Sequence, residues 1–297
     1  MRTGITSSLV LSATAIATGV VFSPAAQAQA VTSGSLGFVS PAGDWVGGGA
    51  TSTYSTANGD TLTVTGSTDE HYVNVSVSGA LGDWWYLDLM APSSGPALAP
   101  GTYTGATRYP FNTAAQPGLS FVGDGRGCNT VAGSFTITQI TWGPYGYIQE
   151  LDGSFSQQCE GFMPALVGQV QITNPAPPAV LTVKPAVASD GTASTLNGSA
   201  TVRGTVACDK TAQVTVSGKV TQVSSNHKTI VNGTYTTTVN CKAGAPVAWS
   251  ASATPSGSVP FRSGDAQVDA QFVAQDPDYA ANTVTIDQTN AVSLHKG

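Results

Sequence analysis

Apolar residues recur at every second position along much of this chain, the period of a strand with one face buried. The alternation is clear at residues 61–65 and 71–77 and strongest at 83–90. There Trp85, Leu87 and Leu89 share one face, while Trp84, Tyr86, Asp88 and Met90 share the other. Tyr103, Phe121, Phe135 and Ile137 continue the pattern and 169–172 close it. About eight to ten strands are therefore expected before residue 174, the range of a sandwich or jelly roll. Turn residues are densest from Leu98 to Phe135, where Pro100, Pro110 and Pro117 fix φ among glycines that include Gly101, Gly118, Gly123, Gly125 and Gly127. That segment needs a defined path and contains no catalytic motif.

Beyond residue 180 the alternation becomes very regular: Val202, Val206 and Cys208, then Val214, Val216 and Val220, then Val231, Tyr235, Val239 and Cys241. Strands are expected at 200–208, 211–223 and 228–241. With those around Trp249, Val268, Phe272, Val284, Ile286, Val292 and Leu294 they make about seven, the number in an immunoglobulin-like sandwich. The antibody order Cys, Trp, Cys is absent, since Trp249 follows both cysteines. Between the two patterned halves, Asn174-Pro175-Ala176-Pro177-Pro178 breaks any sheet and reads as a semi-rigid linker.

The sequence thus predicts an all-β protein in four parts. These are a signal peptide over 1–28, an aromatic-rich, jelly-roll-like β-sandwich over 31–173, a proline-rich linker over 174–180 and an immunoglobulin-like β-sandwich over 181–297. Arg2, the apolar and small residues of 5–21 and Ala26-Gln27-Ala28 carry the signal-peptide pattern. They predict a secreted chain, periplasmic or extracellular, and no later stretch has the length of a membrane span.

Four cysteines allow three pairings, and an oxidising compartment favours bridging all of them. Cys128 and Cys159 are equidistant from the Gly143-Pro144 step, a hairpin tip that would bring them together. The expected bridges are Cys128 with Cys159 and Cys208 with Cys241. A simple meander of 200–208, 211–223 and 228–241 would hold Cys208 and Cys241 too far apart, so the first and third strands are expected in opposing sheets.

Charge narrows the function. Only 9% of the 297 residues are charged, the net charge is −6, and eleven Lys and Arg are scattered without a cluster. A nucleic-acid partner is excluded on that ground. Catalysis finds little support: His71, His227 and His295 share no metal-ligand spacing, and no G-x-S-x-G elbow is present. Asp83, Asp88, Asp124, Glu150 and Asp152 are the acids from which a glycosidase pair would be drawn, and solvated surface acids are their ordinary role. No catalytic residue and no metal site is assigned. Calcium is the one cofactor for which loops offer oxygens, at Asp124-Gly125-Arg126 and Asp276-Pro277-Asp278, and neither has the spaced ligand ladder of a calcium loop.

Aromatic residues are the more informative feature. Four of the five Trp, at 45, 84, 85 and 142, precede the linker, with Tyr86, Tyr103, Tyr109, Tyr145 and Tyr147. If the Trp85 stripe is core, Trp84 and Tyr86 stand on an outer face where flat rings stack on sugars, and Asp88 beside them can bind hydroxyls. If a second layer covers this strand, both rings are core instead.

The run Pro100-Gly101-x-Tyr103, Arg108-x-Pro110-Phe111, Pro117-Gly118-Leu119, Gly125-Arg126-Gly127-Cys128-Asn129 and Gly133-x-Phe135, with Gln158-Cys159-Glu160-Gly161, resembles a pattern in uncharacterised secreted bacterial β-sandwich proteins. The C-terminal half loosely resembles bacterial Ig-like modules. The resemblance implies compartment and fold and carries no functional residues. The expected function is a secreted, non-catalytic module that binds a polysaccharide or surface glycan through Trp84, Tyr86 and Asp88. A structural or adhesive envelope protein that binds another envelope protein is the alternative, and a secreted hydrolase comes third.

Overall fold

The computed structural model describes residues 28–161, 164–223 and 229–297. The expected signal peptide lies outside the described residues except for Ala28. The described chain is all-β, with no α-helix, and no helix in it is long and apolar enough to cross a membrane.

Eleven strands precede the proline segment: β1 (Gln29–Ala30), β2 (Ser33–Val39), β3 (Thr51–Ser55), β4 (Thr61–Gly66), β5 (Tyr72–Ser78), β6 (Trp84–Met90), β7 (Gly101–Arg108), β8 (Gly118–Gly123), β9 (Val131–Trp142), β10 (Ile148–Cys159) and β11 (Leu166–Thr173). They form one curled sheet in the order β1-β4-β5-β6-β8-β7-β9-β10-β11-β2-β3. The curl is made at β7. Gly105, at a φ of +69°, forms a bulge that turns β7 away from β9, and Thr107 and Arg108 then pair in parallel with Gly118 and Leu119 of β8. The sheet folds back far enough that Phe38 of β2 lies 4.6 Å from Trp85 of β6, although five strands separate them in the order. Its apolar faces meet in one cluster from Val31 to Ile172.

Eight strands follow: β12 (Val183–Val187), β13 (Asp190–Ala193), β14 (Ala200–Cys208), β15 (Ala212–Val223), β16 (Ile230–Cys241), β17 (Val247–Pro255), β18 (Gly264–Gln275) and β19 (Thr283–Lys296). Where two separate sheets were expected, the hydrogen bonding closes on itself. β14 pairs with β17 along Ala200–Val206, completing a seven-strand ring β13-β19-β18-β15-β16-β17-β14, with β12 alongside β14. A second apolar cluster, from Leu181 to Leu294, fills it.

Both disulfides join the expected partners. Cys128 and Cys159 have Cα atoms 5.1 Å apart, Cys208 and Cys241 6.0 Å. The β9–β10 hairpin turns at Pro144–Gly146, and Cys159 stands opposite Val131, so Cys128 reaches it from the loop before β9. In the ring, β16 and β17 pair only at Gly233 and Thr234 and part beyond; the Cys208–Cys241 bridge spans the end at which they have separated.

The proline segment is tied to both halves rather than free. Asn174, expected to open the linker, is buried in the first half, where it accepts the Thr32 N–H and donates to the Ile148 carbonyl. The Tyr147 hydroxyl donates to the Pro175 carbonyl at 2.9 Å, and that of Tyr279 to the Pro178 carbonyl at 2.6 Å. The rings of Tyr145 and Tyr279 are 5.3 Å apart. Lys210 donates to the Ala179 carbonyl, and the Leu181 N–H to the Asp276 carboxylate.

Candidate functional site

The outward face of β6 is set by what happens on its inward face. A five-residue turn joins β5 to β6 and places Ser78 opposite Trp84, Ser76 opposite Tyr86 and Asn74 opposite Asp88. Trp85, 3% exposed, is then held inward in three ways. Its ring stacks on Phe121 at 5.2 Å, with planes only 8° apart. Opposite it stands Gly123, where a Cβ would lie 2.2 Å from the indole, so only glycine leaves room. Its Nε1 donates to the Tyr54 hydroxyl at 2.7 Å, and that hydroxyl donates to the Asp83 carboxylate. Burial, then the bond to Asp83, pushes the Tyr54 hydroxyl up to about 12.

With Trp85 fixed, the pleat turns its neighbours out. Trp84 is 39% and Tyr86 40% exposed, and their centroids lie 5.3 Å apart with the planes 52° from parallel. No second layer buries them, which removes the core alternative. Asp88 follows on the same face, half-buried. Its Oδ1 accepts the Tyr72 hydroxyl at 2.6 Å and the Asn74 amide at 2.8 Å, while no described residue donates to its Oδ2. Burial raises the Asp88 carboxyl above the usual carboxylate range, against the lowering effect of those two bonds. Tyr72 stacks on Tyr109 at 4.6 Å, and burial followed by the Asp88 charge raises its hydroxyl.

This face therefore offers two rings, one free carboxylate oxygen and a surround of Ser76, Thr63 and Thr65. Tyr109 was counted among the aromatics of the first half but given no place at this face, and Tyr72 and Asn74 were not assigned to it. The last two carry a signal in the sequence, since a short turn between alternating strands puts residue 74 opposite 88; Tyr109 carries none.

The other aromatics do not join the platform. Trp142 donates to the Leu98 carbonyl, Tyr103 stacks on Phe135 and bonds Ala99, and Tyr145 and Tyr147 face the proline segment. Trp45 is exposed on the loop between β2 and β3.

The candidate acids are likewise dispersed into the scaffold. Asp83 holds Tyr54, Asp124 accepts the Trp84 N–H at 3.1 Å, and Glu150 accepts Gln139 and Thr141. His71 lies just before β5 rather than inside a strand. Its ring nitrogens meet the carbonyls of Gly95 and Asp69, which raise its pKa, and its one carboxylate neighbour is Asp69 at 3.8 Å. Both loops considered for calcium already face a cation of the chain. Arg126 is 4.0 Å from Asp124, and Lys210 is 3.5 Å from Asp276 and 2.5 Å from Asp278. Among the described residues no three His, Cys, Asp or Glu side chains group as a metal site.

A cavity of about 930 Å³ lies in the second half, remote from this face in sequence, bordered by Gln222, Val231, Val259, Arg262 and Asn290. Gln222 is already committed there to both backbone groups of Arg262.

No protein-family model matches the chain, and no curated protein matches it.

Proposed function

We propose that this chain is a secreted, non-catalytic binding protein whose first half holds a carbohydrate, a polysaccharide or a cell-surface glycan, on the outward face of β6. The observation that carries this reading is the pair of exposed rings, Trp84 and Tyr86, flanking a Trp85 that is almost fully buried. Large aromatics exposed side by side cost hydration free energy unless something covers them, and the faces of sugar rings are apolar enough to do so. Asp88 supplies an acceptor for hydroxyls at the end of the same row.

Part of the same proposal is that the two halves are separate sandwich-type modules, jelly-roll-like over 31–173 and immunoglobulin-like over 181–297, of the secreted bacterial kind they resemble. Their separate apolar clusters support this, and the disulfides fit an oxidising compartment.

A second reading, an adhesive or structural envelope protein that binds another protein, draws on a different observation. Val39 on β2 and Val167 on β11 are paired and each about half exposed, one and two strands in from the edge strand β3. A glycan array and insoluble polysaccharides, screened with the full chain and its Trp84→Ala and Tyr86→Ala variants, separate the two. Binding that disappears in both variants supports the carbohydrate reading. Absence of glycan binding turns the assignment to the valine face.

A further inference from the structure

The two exposed rings of β6 are close neighbours, but they do not lie in one plane. Their centroids are 5.3 Å apart and their planes diverge by 52°. Stacking requires each sugar ring to lie nearly parallel to the aromatic beneath it. A crystalline polysaccharide face presents all its rings in one plane, so it can cover one of these two aromatics and must stand off from the other. A two-fold ribbon has the same limit, because half a turn per unit returns each ring to the plane of the last. A chain that twists by a smaller angle from unit to unit can lie on both.

Charge adds a second constraint. Asp88 is the only charged residue in β4, β5, β6 and β8, the strands that make this face. Its Oδ2 is unengaged, about 7 Å along the strand from Tyr86. A hydroxyl can donate to that oxygen. A uronate or sulfate would bring a second anion against a half-buried carboxylate with no cation in those strands to offset it.

We propose, building on the carbohydrate reading above, that this face takes a single soluble, uncharged, twisted glycan chain, and neither a crystalline nor an acidic polysaccharide. Trp84 and Tyr86 hold two of its rings, and Asp88 Oδ2 accepts a hydroxyl further along.

The test is affinity electrophoresis of the full chain in gels containing laminarin, amylose, pullulan or polygalacturonate, with pull-down on microcrystalline cellulose and chitin. The expected result is retardation by at least one neutral soluble glycan, with no retention on the crystalline solids or polygalacturonate. Trp84→Ala and Tyr86→Ala each weaken it tenfold or more; Asp88→Ala and Asp88→Asn both weaken it, since the one oxygen of the amide stays with Tyr72 and Asn74 and a donor then stands where Oδ2 accepted. Melting curves verify the fold of each variant, and Trp84→Phe serves as second variant at that position. Trp84-dependent retention on cellulose, chitin or polygalacturonate overturns this inference and leaves the carbohydrate reading standing. Binding to none of the six overturns both.

Discussion

Gln157 pairs with the backbone of Phe121 as a neighbouring strand would: its Oε1 accepts the Phe121 N–H at 2.7 Å and its Nε2 donates to the Phe121 carbonyl at 2.8 Å. The amide is buried in the first core, and it fills a gap in the sheet. β7 follows β8 for only two residues, so the edge of β8 at Phe121 has no strand beside it. Gln157→Ala leaves a buried donor and acceptor unpaired, and a loss of about 2–5 kcal/mol is expected in urea unfolding. Gln222 brackets Arg262 in the second half in the same way. Arg262 is exposed, so water replaces the lost bonds and Gln222→Ala costs less. Equal losses would show that the Gln157 pair is not filling a dry gap.

Opposite outcomes are expected for the two tryptophans in sequence. Trp85→Ala empties a site shared with Phe38, Phe121 and Tyr54, at a cost of about 3–5 kcal/mol. Trp84→Ala changes stability by less than about 1 kcal/mol. Thermal melting of both variants reads this directly, and a large loss at Trp84 would mean that its ring is structural.

Asp88 gives the first half a pH signature. Its carboxyl is raised in the folded state, so around the usual value of about 3.9 the folded chain binds more protons than the unfolded one. The stability this contributes is present below the unfolded pKa and is lost as pH rises through the folded pKa. Asp88→Asn removes the titration and keeps the acceptor for Tyr72 and Asn74. Relative to wild type, the variant should gain stability as pH climbs through that window and hold the gain at neutrality. A difference that is flat with pH would place the titration elsewhere.

Lys210 is expected to matter with the opposite sign. Burial opposes ionisation of Asp276, but bonds from Leu181, Asp278 and Asn282 and the Lys210 charge outweigh it and hold the carboxyl low. That stability is present above the unfolded pKa and is lost as pH falls through the folded one. Lys210→Met should cost about 1–3 kcal/mol at neutral pH, and less in acid. Urea unfolding at several pH values checks it; a loss that grows in acid would contradict the assignment.

The parts of this fold that were legible in the sequence are those whose cause is local. Strict alternation placed β14, β15 and β16 to within about two residues, and it assigned the two faces of β6. Hairpin geometry paired Cys128 with Cys159. β2 escaped notice because Gly and Ser interrupt its apolar row. Closure of the ring was not legible either, since the β14–β17 pairing joins residues far apart in sequence and leaves no mark in either strand. The partners of Asp88 depend on register, and those of Trp85 on a glycine in another strand, so the face was visible while its support was not.

The parallel pairing of β13 with β19 has a mechanical consequence. β12 and β13 both run antiparallel to β14, and β19 runs with β13, so the chain enters and leaves the second half along strands of one direction. Tension between the proline segment and Gly297 pulls these strands lengthwise past one another. The bonds from Asp190–Ser293 to Ala193–Lys296 are then loaded together in shear, instead of parting one by one as in a peeled hairpin. If the C-terminal end is tethered and the first half grips its ligand, the second half meets that load in its resistant direction.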